Sequence, residues 1–212
     1  MADRIIKILT PADSFALMTL EEAKTLLGKS LTDTSEDPLF TMLIDINSAT
    51  VARLCNRVFA REEVHEEWRE LNGGHRIFPS HWPIKEDDIE SVESGGVVLS
   101  AGVDYELEEE SGKIETFNGA FAEPVIVTYW GGNELPTDAP LPLKQALSLL
   151  NLQSSLLASL GNLAGIRSIA HKEARVQFYD PSHILGIALG SSGSSVGAAI
   201  NNILSRYIHY EV

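Results

Sequence analysis

Six histidines, two tight carboxylate clusters, a glycine–serine run and a single cysteine are the side chains here that could do chemistry. None of the histidines has a partner at the spacing that sets two metal ligands on one helix face. His75 and His81 flank an apparent turn, and His65 lies among glutamates in an expected strand. Asp87-Asp88 and Glu108-Glu109-Glu110 are of the kind that binds calcium or serves as acid and base. Their surroundings lack the alternating oxygen ligands and central glycine of a calcium loop, so they read as solvated turns. The serines of GSSGSS have no strained elbow around them and no base set beside them, as a nucleophile requires. No glycine-rich phosphate loop is present, and Gly95-Gly96 lies between strands rather than ahead of a helix. Cys55 stands alone, which excludes an internal disulfide and a cysteine metal cluster. Its place in an apolar helical stripe reads as a small core residue. No catalytic residue, metal or cofactor is expected.

Composition narrows the classes further. With 212 residues, 44% hydrophobic and 22% charged, the chain suits one full core or two small modules. The outlier is a formal net charge of −14, which repels duplex DNA and anionic lipid alike. The start, MADRIIKILTPAD, places charges around a very short apolar run and is no signal peptide. The most apolar helix is interrupted by Lys144, Gln145, Asn151 and Gln153, so no membrane span is expected.

The elements that must position any site follow from periodicity. A first helix is expected over residues 20–27, with Thr19 and Glu22 as a capping box and Gly28 at its C-terminal cap. After the polar linker LTDTSED, a second helix is expected over residues 38–57. Its buried face should hold Phe40, Leu43, Ile44, Val51, Leu54, Cys55 and Val58, with Asn47 the one polar interruption. From residue 60 to 130 the period falls to two. Val103, Tyr105 and Leu107 alternate with acids, and Lys113–Phe117 reads as the returning strand after Ser111-Gly112. Val125, Val127 and Tyr129 alternate with Ile126, Thr128 and Trp130, which marks a central strand covered on both faces. Shorter strands near 62–71, 76–78, 89–93 and 97–99 complete an antiparallel sheet or small sandwich.

Pro136, Pro140 and Pro142 stiffen the exit from that module into a third helix. One stripe of this helix carries Leu143, Ala146, Leu147, Leu150 and Leu157; Leu149, Leu152, Leu156 and Leu160 form a second beside it. The apolar arc is wider than one packing contact needs, so the helix is either central to its own core or shared with another subunit. Residues 175–179 suit a short strand, and GIALGSSGSSVG reads as a flexible tether. Val196, Ile200, Ile203, Leu204, Tyr207 and Ile208 keep helical spacing beyond it, as a terminal amphipathic helix that either docks on a partner or folds home. The fold expected is α+β: about three core helices plus a C-terminal helix, with an inserted antiparallel β-sheet or small β-sandwich. Its parts are residues 1–59, the β insertion 60–131, the third helix within 132–164, and a tail 165–212.

The order of these pieces resembles the head–tail connector (adaptor) proteins of long-tailed bacteriophages. The matching segments are MTLEEAKTLLG, DPLFTMLIDINSATVARLCNRVF, WPI with IESVES, GVDYELEEESGKIETF and VIVTYWGGNELPTDAPLPLKQALSLL, spanning residues 18–160. The close, AAINNILSRYIHYEV, is similar to the short terminal helix with a Leu-x-x-Tyr pattern in that family. This chain departs from the family in carrying Gly132-Asn133 where an aromatic usually follows the strand's glycine turn, and in its longer segment from Gly165 onward.

The resemblance implies a structural virion protein made in the host bacterial cytoplasm and placed in the neck. It implies a homo-oligomeric ring, typically of twelve subunits, that joins the portal protein to a downstream neck or tail-terminator protein. DNA would pass through that ring without specific binding, and no membrane is involved. On this reading Leu149, Leu152, Leu156 and Leu160 meet the neighbouring subunit, and Ile200, Ile203, Leu204, Tyr207 and Ile208 dock on the portal. Two other classes remain open at this point. One is a cytosolic α+β protein-binding module; the other is a small acidic hydrolase built on Asp87, Asp88 and a distant histidine.

Overall fold

The computed structural model describes residues 4–160, 168–171, 174–177 and 195–208. The fold is α+β, and the chain divides into two compact units. One comprises residues 1–15, 56–139 and 209–212, and the other residues 16–55 and 140–208.

The first unit is built from strands β1 (Arg4–Thr10), β2 (Glu62–Trp68), β3 (Arg76–Ile77), β4 (Ile89–Ser94), β5 (Val97–Val98), β6 (Tyr105–Glu108), β7 (Lys113–Thr116) and β8 (Val125–Gly131). They form a five-stranded sheet, ordered β1-β2-β8-β4-β5, and a three-stranded sheet, ordered β3-β7-β6. Every pairing is antiparallel. Val64, Trp68, Val92, Val125, Val127 and Tyr129 of the larger sheet meet Ile77, Tyr105 and Ile114 of the smaller in one apolar cluster. The module is therefore a small sandwich. β8 lies in the middle of its sheet as expected, with Val125, Val127, Tyr129 and Gly131 buried; its other face is half-buried rather than fully covered.

One expectation is corrected here. Residues 4–10 belong to the β unit, because their backbone pairs with β2 from Arg4 opposite Trp68 to Thr10 opposite Glu63. A strand whose partner lies more than fifty residues downstream carries no local signal of it.

The glycine turn after β8 has a steric cause. A β-carbon on Gly132 would lie 2.2 Å from the Ala60 carbonyl oxygen, and its φ of +104° disfavours any side chain. A β-carbon on Gly131 would meet the His81 carbonyl at 2.3 Å. Through this gap the Gly132 N–H donates to the Pro83 carbonyl at 3.0 Å, and the Asn133 N–H to that of Phe59 at 2.8 Å. The turn thus clamps two distant segments of its own unit by backbone alone.

The second unit holds α1 (Leu20–Leu26), α2 (Asp37–Cys55), α3 (Leu141–Leu160) and α4 (Ser195–Leu204), together with an antiparallel hairpin of β9 (Ser168–His171) and β10 (Ala174–Gln177). Thr19 and Glu22 form the capping box at α1: the Glu22 N–H donates to Thr19 Oγ1 and the Thr19 N–H to the Glu22 carboxylate. Gly28, at φ +65°, ends the helix, with the Gly28 and Lys29 N–H groups donating to the Thr25 and Lys24 carbonyls. α1, α2 and α4 all pack on α3. Phe40, Leu43, Ile44, Val51 and Cys55 are buried on α2 as expected. Leu54 is not: helical spacing puts it on the same stripe, yet it is 44% exposed near the end of the helix. Leu143, Ala146 and Leu147 are fully buried on α3, each leucine contributing about 2 kcal/mol of apolar burial. The GIALGSSGSSVG tether falls almost wholly outside the described residues.

Two buried asparagines cross this apolar interior. Asn47 on α2 donates to Asn151 Oδ1 on α3 at 2.7 Å, and Asn151 lies against the Met18 sulfur at 3.7 Å. Truncating Asn151 leaves the Asn47 amide only the Ser154 hydroxyl at 3.4 Å, so Asn151→Ala should cost about 1–3 kcal/mol in urea denaturation. The double variant Asn47→Leu/Asn151→Leu should cost less than the sum of the single changes. Gly132→Ala should lower stability by about 3 kcal/mol or more, seen as a thermal midpoint roughly 10 °C lower.

Candidate functional site

The strand EEVHEEW can face the sandwich interior with only one of its two alternating sets, and Val64 and Trp68 decide which. Glu62 and Glu66 are carried inward with them, at 5% and 0% exposure. Two carboxylates in an apolar interior must be supplied with donors or charge partners. The surrounding chain supplies both.

Glu66 Oε1 accepts from the Ser80 N–H at 2.8 Å, from the Ser80 hydroxyl, and from the Tyr129 hydroxyl at 2.6 Å. The Arg4 guanidinium stands 3.8 Å from its other oxygen. Glu62 faces His81 Nε2 at 2.9 Å and accepts from the Ala12 N–H at 3.2 Å. His81, 3% exposed, also contacts Ser80 Oγ through Nδ1 at 2.7 Å, and its backbone N–H donates to the Tyr129 hydroxyl. Burial, and then the Glu66 charge, push the Tyr129 phenol far up, so it stays a proton donor across the working pH range.

Glu62, His81 and Ser80 follow one another as the acid, base and nucleophile of a hydrolytic triad would. The hydrogen bonding argues against that use. Ser80 has one hydroxyl proton, and the Glu66 carboxylate competes with His81 Nδ1 for it. A nucleophile needs that proton directed at the base alone. The cluster is a structural lock joining the N-terminal segment, β2, β8 and the 79–82 loop.

The other residues with chemical potential are not gathered into one site. Asp88 accepts from Arg61 at 2.6 Å, while Asp87 is exposed in a short 3-10 turn. His65 Nδ1 lies 3.1 Å from Thr128 Oγ1 on the neighbouring strand. Among the described residues no group of three or more His, Cys, Asp or Glu is placed to hold a metal ion. No described helix is long and apolar enough to cross a membrane. Arg57, buried at 8% exposure, lies over the Trp82 ring and donates to the Trp82 carbonyl.

The expected assembly residues divide. Leu149 is half-buried and Leu152 is 46% exposed, so this edge of α3 is open. The side chains of Leu156 and Leu160 lie outside the described residues. Ile200 and Leu204, at 4% and 2% exposure, are buried where α4 packs on α2 and α3. That takes these two out of any docking surface, because a spacing that makes a helix amphipathic cannot say which neighbour covers it. Ile203, Tyr207 and Ile208 remain half-exposed.

Sequence reasoning missed the Glu62–His81–Ser80–Glu66–Tyr129 cluster. The signal was present in β2 itself, where Val64 and Trp68 force two glutamates inward.

No protein-family model and no curated protein matches the chain. Its fold is similar to that of a chain in the neck of an empty gene transfer agent particle computed with C6 symmetry. The TM-score is 0.56 at 14% identity, over 98% of this chain and 97% of that one. A chain in the neck of the native particle, computed with C12 symmetry, gives 0.52 at the same identity and coverage. A chain in the virion of the native gene transfer agent particle gives 0.53. The shared fold runs through essentially the whole length of each chain.

The lock predicts a graded loss of stability. Tyr129→Phe removes one of three donors to Glu66 and should cost about 1–2 kcal/mol. Glu66→Ala strands Tyr129, Ser80 and Arg4 together and should cost about 3–5 kcal/mol. Urea unfolding of the purified chain measures both.

Proposed function

We propose that this chain is a structural, non-enzymatic virion protein that forms a ring in the neck of a phage-like particle, between portal and tail. One observation carries the reading: the fold is shared end to end with chains in the necks of gene transfer agent particles, at TM-scores of 0.52–0.56. The resemblance of residues 18–160 to phage connectors points the same way from sequence alone. The C12 symmetry of one of those necks favours twelve subunits.

The physical properties suit the role. Twelve copies of a −14 chain carry on the order of −170 formal charges, so acidic groups on the bore would repel passing duplex rather than hold it. A conduit needs that slip. Leu149 and Leu152, continued by Leu156 and Leu160 along the same helix, are the proposed contact with the adjoining subunit. Ile203 on α4, with Tyr207 and Ile208 just beyond its end, are the proposed contact with the portal, while Ile200 and Leu204 pin α4 to its own unit. The downstream neck or tail-terminator protein would meet the other end of the ring.

Electron microscopy of the purified chain mixed with its cognate portal should show a twelve-fold ring seated on the portal. Leu152→Glu should reduce the fraction of portals carrying rings at least tenfold, the effect of losing about 1.4 kcal/mol at even one contact. Portals that stay bare with the unaltered chain would overturn the reading.

A further inference from the structure

The five-stranded sheet ends in two edges that no described strand covers, β1 on one side and β5 with the open part of β4 on the other. Both are unusually apolar. Ile5, Ile6, Ile8 and Leu9 of β1 are each 38–42% exposed, on both faces of the strand. Val97 and Val98 of β5 are 63% and 67% exposed. An edge with exposed aliphatic side chains and open backbone groups is a template for another strand.

The charges on the two edges are opposite. β1 carries Arg4 and Lys7 and no acid, although acids outnumber bases 30 to 16 in the whole chain. β4 carries Glu90 and Glu93 and no base, with Glu90 exposed at the irregularity between Ile89 and Ser91. Pairing β1 with its own copy would oppose lysine to lysine, and pairing the β4–β5 edge with itself would bring Glu90, on the part of β4 that β5 leaves open, against its own copy. Only the mixed pairing is attractive. A contact between two different patches of one chain repeats head to tail, and closes into a ring when its rotation permits.

We infer that the two edges are the two halves of one intersubunit contact, in which β1 of one copy lies along the β4–β5 edge of the next. This rests on the ring reading above and assigns it a second lateral contact, in the β unit. Lys7, together with the register break between Ile8 and Thr10, keeps the strand from pairing indiscriminately, and the glutamates opposite select the right partner.

The test uses the full-length chain, in which the native Cys55 is buried. Ile6→Cys and Val98→Cys chains are co-assembled and treated with a short bismaleimide; circular dichroism and the thermal midpoint confirm that both are folded. The mixture should give a cross-linked dimer that neither variant gives alone, and the double variant should give a ladder. Lys7→Glu should cut cross-linking about fivefold, and adding Glu90→Lys should restore it. Rings seen by electron microscopy without this cross-link overturn the edge contact and leave the neck reading standing. Cross-links of Ile6→Cys chains to one another alone overturn it in favour of a two-fold dimer. A chain that forms neither rings nor cross-links overturns both readings.

Discussion

The β unit is organised around a debt incurred by one strand. Val64 and Trp68 must face the interior, and the period of two takes Glu62 and Glu66 with them. Neither carboxylate can be turned outward without exposing the apolar pair. Everything that satisfies them comes from far along the chain: Arg4 and Ala12 from the N-terminal segment, Ser80 and His81 from the loop after β3, and Tyr129 from β8. Wrong registers of β2 would bury the carboxylates without these donors. The network therefore favours one arrangement over its neighbours, whatever its net contribution to stability.

The helical unit solves the same problem on a smaller scale. Asn47 and Asn151 are among the polar residues that α2 and α3 carry inward, beside Ser48 and Gln153, and Asn47 donates to Asn151 across the two helices. A single buried amide pair of this kind fixes which turn of one helix faces which turn of its partner. Lys24, 3% exposed at the end of α1, donates to the Asp33 carbonyl and pairs with Asp37 at the start of α2. Glu22 reaches Lys144 at the start of α3; partial burial opposes its ionisation, yet Lys144 and the Thr19 N–H hold its carboxyl below the usual range. Polar contacts, not only leucines, thus set how α1 meets its neighbours.

These features separate what was legible in the sequence from what was not. The capping box at Thr19–Glu22, the stop at Gly28, the apolar stripe of α2, the β6–β7 hairpin and the central place of β8 are all local patterns, and each was read from a window of a dozen residues. β1 was missed because its strand character is conferred by pairing with residues 63–68, and an RIIKILT segment in isolation has no alternation to show. The roles of Ser80 and His81 were missed for the same reason: their partners lie on β2. Leu54 and the anchors Ile200 and Leu204 were misjudged in opposite directions. Periodicity locates a face, but only packing says whether the face is covered and by what.

The charge distribution unites the fold with the proposed role. In the proposed ring a strongly acidic chain would face a conflict, since every additional subunit adds repulsion. Uniform acidity would resolve it against assembly. In this chain the acid is uneven: β1 is purely basic among charged residues, and the opposite edge of the same sheet is purely acidic. Contacts that join unlike edges therefore gain attraction at short range, where screening at physiological salt is weakest, while the remaining acidic surface acts beyond about 8 Å only feebly except where many copies concentrate it. In the proposed ring that concentration would fall around the bore. Under the proposed role, the same sequence bias would bind neighbours laterally and keep a passing polyanion from binding.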